Sequence, residues 1–209
     1  MFSILGTDAK ISVEKDENLI ETTCKNTPHY QLCINTLRAD KGSSGADVAG
    51  LGLIMVEAVK AKSKEALSAI KKLQKSQPKL ATPLQQCRDM YKAVVSGDVP
   101  EAEQSIRGNP KFAENGMADA AVEADDCEAA FQGVAKSPLT AVNTAARELA
   151  EVARDLTWGV SFCPKSSIFP ISMDVGDGGA LEDRVSDLWW CVLVLGCGCC
   201  SRVVFVGVG

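Results

Sequence analysis

The sequence predicts an all-α fold: an up-and-down four-helix bundle, disulfide-stapled and preceded by a short N-terminal helical hairpin. Three observations predict it. Four segments carry apolar residues at the alternating three-four spacing of a bundle seam, nothing alternates with period two, and short connectors bearing Gly or Pro separate most segments.

The hairpin comes first. Pro28 bars a helix from running through Lys25-Asn26-Thr27-Pro28-His29, so Asn18–Cys24 and Tyr30–Ala39 read as two short helices folded back at that turn. The first bundle helix offers Val48, Leu51, Met55, Ala58, Ala66, Ala69 and Leu73, with one miss at Lys62, whose stem can snorkel. The second opens on Thr82-Pro83-Leu84-Gln85. Thr82 is placed to cap, Pro83 suits the first helical position and Gln85 completes a capping box; its seam is Leu84, Cys87, Tyr91 and Val94. A short helix from near Pro100 to Arg107-Gly108 follows. The third bundle helix reads Ala120, Ala124, Cys127, Phe131 and Val134. The fourth starts at Ser137-Pro138 and runs Leu139, Val142, Ala146, Leu149, Ala153 and Leu156 without a miss. Alanine-rich seams let such helices approach closely.

Between the short helix and the third bundle helix lies Gly108-Asn109-Pro110-Lys111-Phe112-Ala113-Glu114-Asn115-Gly116. It reads as a glycine-bounded loop that holds up a bulky Phe112 beside Lys111, with Pro110 stiffening the approach. Surface loops concentrate binding residues. From these residues alone, Phe112 is either a binding hook or the cap of a small satellite cluster.

Composition narrows the function. In a chain of 209 residues, a net charge of −5 argues against nucleic acid, which calls for a basic patch. The lysines from Lys60 to Lys79 and the acids from Glu114 to Glu128 read as solvated helix faces. The single histidine, His29, has no nucleophile or carboxylate partner near it in sequence. There is no glycine-rich phosphate loop after a strand and no paired metal ligands in the bundle. No enzyme, no cofactor and no metal site are expected.

Cys24, Cys33, Cys87 and Cys127 contain no Cys-x-x-Cys pair and do not resemble a zinc site. Cys87 and Cys127 fall on the seams of different helices, so a bridge between them would join the second helix to the third. Cys24 and Cys33, flanking the Pro28 turn, are left to pair. Two disulfides imply an oxidising compartment; the alternative is four free thiols in a cytosolic bundle. Met1 to Val13 has neither the basic start nor the apolar run of a secretory signal.

Glu21-Thr22-Thr23-Cys24-Lys25-Asn26-Thr27-Pro28-His29-Tyr30-Gln31-Leu32-Cys33, the lone Cys87 and Cys127 on bundle helices, and Asn109-Pro110-Lys111-Phe112 resemble the plant invertase inhibitors, a branch of the invertase/pectin methylesterase inhibitor family. The resemblance runs from about Asn18 to Trp158. It implies a secreted inhibitor of the apoplast and cell wall, or of the vacuole. It further implies a 1:1 complex with an acid invertase (β-fructofuranosidase), in which Asn109, Pro110, Lys111 and Phe112 form the target-binding loop and enter the substrate cleft. The wider family leaves a second reading, a pectin methylesterase inhibitor acting through the bundle's helix faces. A third is a helical binding or assembly module with no enzyme target.

On this division, residues 1–17 are an extension expected to be disordered, 18–158 the inhibitor-like domain, and 159–209 an atypical tail. The apolar run from Leu188 to Gly209 is interrupted by Arg202 and weakened by glycines, so it makes a poor spanning helix and no membrane partner is expected. Gly178-Gly179-Ala180 as a lipid-anchor signal, and Cys197-Gly198-Cys199-Cys200 as a soft-metal or palmitate site, are weaker readings. The tail reads as translated intron or shifted frame, disordered or non-native.

Overall fold

The computed structural model describes residues 7–162, and every regular element among them is helical. The hairpin is α1 (Thr7–Cys24) and α2 (Tyr30–Ala39). After a 3₁₀ turn at Lys41–Ser43 come α3 (Val48–Ser76), a second 3₁₀ turn at Pro78–Leu80, and α4 (Ala81–Ala93). A π turn (Val94–Asp98) runs directly into α5 (Val99–Ser105), and α6 (Pro110–Ala129) and α7 (Thr140–Phe162) complete the bundle. The expectations for residues 163–209 lie outside the described residues.

The π turn has a sequence cause. Pro100 has no N–H to give, and its ring would strike the carbonyl of Ser96 in a regular helix. The chain widens by one residue instead: the N–H of Val99 reaches Val94 O, five residues back. The short helix expected near Pro100 is therefore a continuation of α4, bent at the bulge.

Side chains from all four bundle helices fill two stacked apolar clusters. At the hairpin end, Leu51, Met55 and Val59 of α3 meet Val99, Ala102 and Ile106, Ala113 and Met117 of α6, and Leu149, Val152 and Leu156 of α7. The hairpin adds Ile20, Ile34, Leu37 and both of its cysteines. At the far end, Ala66, Ile70, Leu84, Tyr91, Phe131, Leu139 and Ala146 surround Cys87 and Cys127. Both expected disulfides form, Cys24–Cys33 and Cys87–Cys127. The far-end cluster also holds a satisfied polar chain. The buried Tyr91 hydroxyl donates to Asn143 Oδ1 at 2.9 Å, and Asn143 Nδ2 donates to Glu128 Oε2 at 2.7 Å. Burial first, and Glu128 second, push the Tyr91 hydroxyl above its ordinary pKa, so it stays a donor.

Several boundaries differ from the sequence reading. α1 begins at Thr7 rather than at Asn18. Asp16 and Glu17 have partners on the neighbouring segment: Glu17 accepts from Arg38 at 2.7 Å, and Asp16 accepts from the N–H of Gly45 at 3.0 Å. The miss at Lys62 disappears, because the buried stripe of α3 passes through Val59 and Ser63; the Ser63 hydroxyl is satisfied by Val59 O at 2.9 Å, and Lys62 turns out to Glu65. The Thr82 capping box does not form. The 3₁₀ turn at Pro78–Leu80 feeds α4 without a break, and the Gln85 amide is used by Asp89. α6 ends at Ala129, and Gly133 turns the chain at φ +72°, which leaves Val134 exposed instead of on the seam.

The hairpin is tied to the bundle by a polar contact as well as by its apolar face. His29 Nε2 lies 2.7 Å from Glu151 of α7, whose other oxygen accepts from Arg147 at 2.8 Å. Burial would raise the Glu151 carboxyl, but His29 and Arg147 outweigh it and hold the pKa below the ordinary value.

Candidate functional site

The stretch from Gly108 to Gly116 is not a loop. The chain leaves α5 in a tight turn, with the N–H groups of Gly108 and Asn109 both bonded to Ser105 O at 2.9 and 2.7 Å. Helix α6 then starts at once. Asn109 takes the N-cap position and Pro110 the first turn, where a missing N–H costs nothing and the fixed φ suits a helix. Asn109, Pro110, Lys111 and Phe112 thus stand on a helical corner rather than in a loop. The corner sits at the hairpin end of the bundle, beside the end of α7.

Gly116 shows why the helix runs on. A Cβ there would lie 2.8 Å from the backbone oxygen of Asp98, so only glycine lets α6 settle this closely against the π turn. Its flanking residues Ala113 and Met117 are fully buried. The glycine that read as the end of a loop is a contact point between two helices.

The corner is anchored from outside as well. Arg107, one residue before Gly108, makes a two-pronged pair with Asp47 at 2.8 and 3.0 Å. Asp47 in turn caps α3 through the N–H of Gly50 at 2.7 Å. The Arg107 hydrogen bond holds the Asp47 carboxyl below its usual pKa. Lys60 of α3 reaches Glu103 of α5 at 2.6 Å, which fixes the helix just before the turn.

On this base two side chains point to solvent. Phe112 is 50% exposed, and the Lys111 side chain 58%. The Lys111 ammonium is 2.7 Å from Glu114 and sits 5.0 Å from the centroid of the Trp158 ring on α7. An ammonium, an exposed phenyl ring and the positive end of a helix are presented at one corner, an arrangement suited to an acidic pocket with apolar walls.

Beneath the corner lies a strained electrostatic spot. Asp98 Oδ2 is buried with no hydrogen-bond partner among the described residues. Burial, then Asp119 and Glu101, push its carboxyl up to about 6. Among the described residues no cluster of His, Cys, Asp or Glu could hold a metal ion, and no helix is long and apolar enough to cross a membrane.

Sequence reasoning paired all four cysteines of the two disulfides. It missed Glu114, Trp158, and the Arg107–Asp47 anchor. Glu114 was findable, being three residues past Lys111 on what proves to be a helix. The other contacts join elements far apart in sequence, which no local pattern reveals.

Comparison with known proteins agrees with the fold. The family model for plant invertase/pectin methylesterase inhibitors matches residues 18–156. The chain is 39% identical over 145 residues to the cell wall / vacuolar inhibitor of fructosidase 1 of Arabidopsis thaliana, covering 69% of this chain and 70% of that protein. It is 28% identical over 130 residues to the pectinesterase inhibitor of Actinidia deliciosa, covering 61% and 70% respectively. Among solved structures, a mutant form of a pectin methylesterase inhibitor from Arabidopsis superimposes with a TM-score of 0.57 at 16% identity, over 66% of this chain and 94% of that one, a likeness of fold. Helical hairpin, two disulfides, bundle and match together give one conclusion: the chain belongs to the plant invertase/pectin methylesterase inhibitor family.

Proposed function

We propose that the protein inhibits a plant acid invertase by placing the first turn of α6 in the enzyme's substrate cleft, in a 1:1 complex. The observation that carries this reading is the joint exposure of Lys111 and Phe112 on an anchored helical corner. The 39% identity to an inhibitor of fructosidase supports the choice of target. Glycosidases of this kind work with paired carboxyl groups around the scissile bond. An ammonium delivered there exchanges Glu114 for the enzyme's acids, so only the difference between the two pairings adds to affinity.

Phe112 contributes apolar area. A fully buried phenylalanine removes about 200 Å² from water, so docking the exposed half removes about 100 Å² and contributes roughly 2 kcal/mol. Because the corner is helical and already ordered, little conformational entropy remains to be lost on docking. The two disulfides fit a cell-wall or vacuolar setting, where thiols are not kept reduced.

The test is a paired inhibition assay against an acid invertase and a pectin methylesterase at mildly acidic pH. Wild type should inhibit the invertase competitively with sucrose, and Lys111→Ala and Phe112→Ala should each weaken it by about 2 kcal/mol, roughly thirtyfold. The 28% identity to a pectinesterase inhibitor gives the second reading, docking through helix faces. Inhibition of the methylesterase that is indifferent to both substitutions would establish that reading instead.

A further inference from the structure

We propose that Trp158, near the C-terminal end of α7, is a positioning residue for the lysine that docks into the target. The inference deepens the reading above and rests on Lys111 being a docking residue.

The geometry is specific. Lys111 is the second residue of α6 and Trp158 lies in the closing turns of α7, yet the ammonium stands 5.0 Å from the indole centroid. Leu156 and Thr157, just before Trp158, are buried to within 1% of completely, so this buried stretch of α7 fixes where the Trp158 side chain emerges. The residue as a whole is 42% exposed. It therefore presents area toward solvent beside the same corner on which Phe112 is displayed.

A lysine on a surface has a long stem with many rotamers, and docking must freeze most of them. Here two partners restrict the ammonium before any target arrives: Glu114 at 2.7 Å from its own helix and the indole from another. The two are not equivalent. The Glu114 carboxylate competes with the target's acids for the same charge, and docking must displace it. The π face of Trp158 does not compete, since a cation over a ring can keep hydrogen-bonding an acid on its open side. Removal of water strengthens such a contact. Trp158 thus holds the ammonium up while leaving its donors available.

The experiment is a double-mutant cycle on the full chain, read as inhibition of an acid invertase: wild type, Lys111→Ala, Trp158→Leu, and both together, with Trp158→Phe as the conservative variant. Leucine keeps apolar bulk without a π face; phenylalanine keeps the face. Trp158→Leu should weaken inhibition by about five- to tenfold and Trp158→Phe by about threefold or less, following the ranking of rings as cation partners. In the Trp158→Leu background, Lys111→Ala should lose about fivefold or more of its effect, because the two residues act as one unit. A structural role alone would lower the thermal midpoint of the free protein and leave the two effects multiplicative.

If Lys111→Ala weakens inhibition but Trp158→Leu matches wild type, or the two losses simply multiply, the positioning role is overturned and the docking role of Lys111 stands. If Lys111→Ala leaves inhibition unchanged, the docking reading falls and takes this inference with it.

Discussion

Two glycines in neighbouring elements should respond to the same substitution with opposite signs. Gly116 faces the backbone oxygen of Asp98, and an added Cβ would lie 2.8 Å away, about 0.6 Å inside ordinary van der Waals contact. The obstacle is backbone, so no side chain can swing aside. Gly97, in the π turn, has nothing within 4 Å of the same added atom. Alanine is favoured over glycine in a helix by about 1 kcal/mol, and at Gly97 that gain should appear nearly whole. At Gly116 the same gain meets an overpacking cost of about 1–3 kcal/mol, for a net loss of about 1 kcal/mol. The pair should therefore differ by about 2 kcal/mol, or roughly 4–8 °C in melting temperature for a domain of this size. Urea denaturation of both variants beside wild type measures it. A second readout follows from position: Gly116 is one turn beyond Phe112, so forcing α6 off the π turn shifts the corner. Gly116→Ala should weaken invertase inhibition, while Gly97→Ala should not. A Gly116→Ala protein at least as stable as Gly97→Ala would refute the close approach and the rigid corner built upon it.

Other expectations follow from single contacts. The Asp98 carboxyl, pushed up to about 6 by burial and by Asp119 and Glu101, favours its protonated form in the folded protein. Its stabilising contribution is full below about pH 4 and is lost as pH rises through about 6; allowing for the part of the group that solvent screens, the swing is about 1 kcal/mol. Asp98→Asn should flatten that part of a stability-versus-pH curve and raise stability at pH 7; a curve that keeps its slope would remove Asp98 as the cause. Tyr91→Phe should cost about 1–2 kcal/mol in urea melts, because Asn143 Oδ1 loses its buried donor. Removing Cys87–Cys127, which spans 40 residues, should cost about 4 kcal/mol on the chain-entropy model, against about 2.6 kcal/mol for Cys24–Cys33, which spans 9. Equal losses from the two double Cys→Ala variants would show that native packing, not loop length, sets the difference.

The bundle was legible because its signal is redundant. Leu84, Cys87 and Tyr91, or Leu149, Ala153 and Leu156, repeat a face several times, and one error such as Lys62 cannot erase the pattern. The cysteine pairing was legible for the same reason, since a buried seam position constrains what a thiol can meet. The conformation of the corner was not. Asn109-Pro110 is a helix-start signature as much as a loop signature, and Gly116 carries no mark that separates a turn from a tight crossing. What decides is the Asp98 carbonyl on another element, which the local sequence does not contain. The contacts at the middle of α1 were hidden likewise, because Glu17 and Asp16 are met by Arg38 and Gly45 from later segments.

The covalent layout gives the corner one further property. Residues 108–112 lie inside the segment closed by Cys87–Cys127, with Gly108 and Asn109 exposed. A protease that cuts there produces two fragments that remain one molecule, joined by a bond between α4 and α6 in the far-end cluster. The severed ends are each held by their own helix, α5 through Arg107 and Lys60, α6 through Gly116. Cleavage at the exposed tip thus need not release anything, and only a reductant would let the halves drift apart.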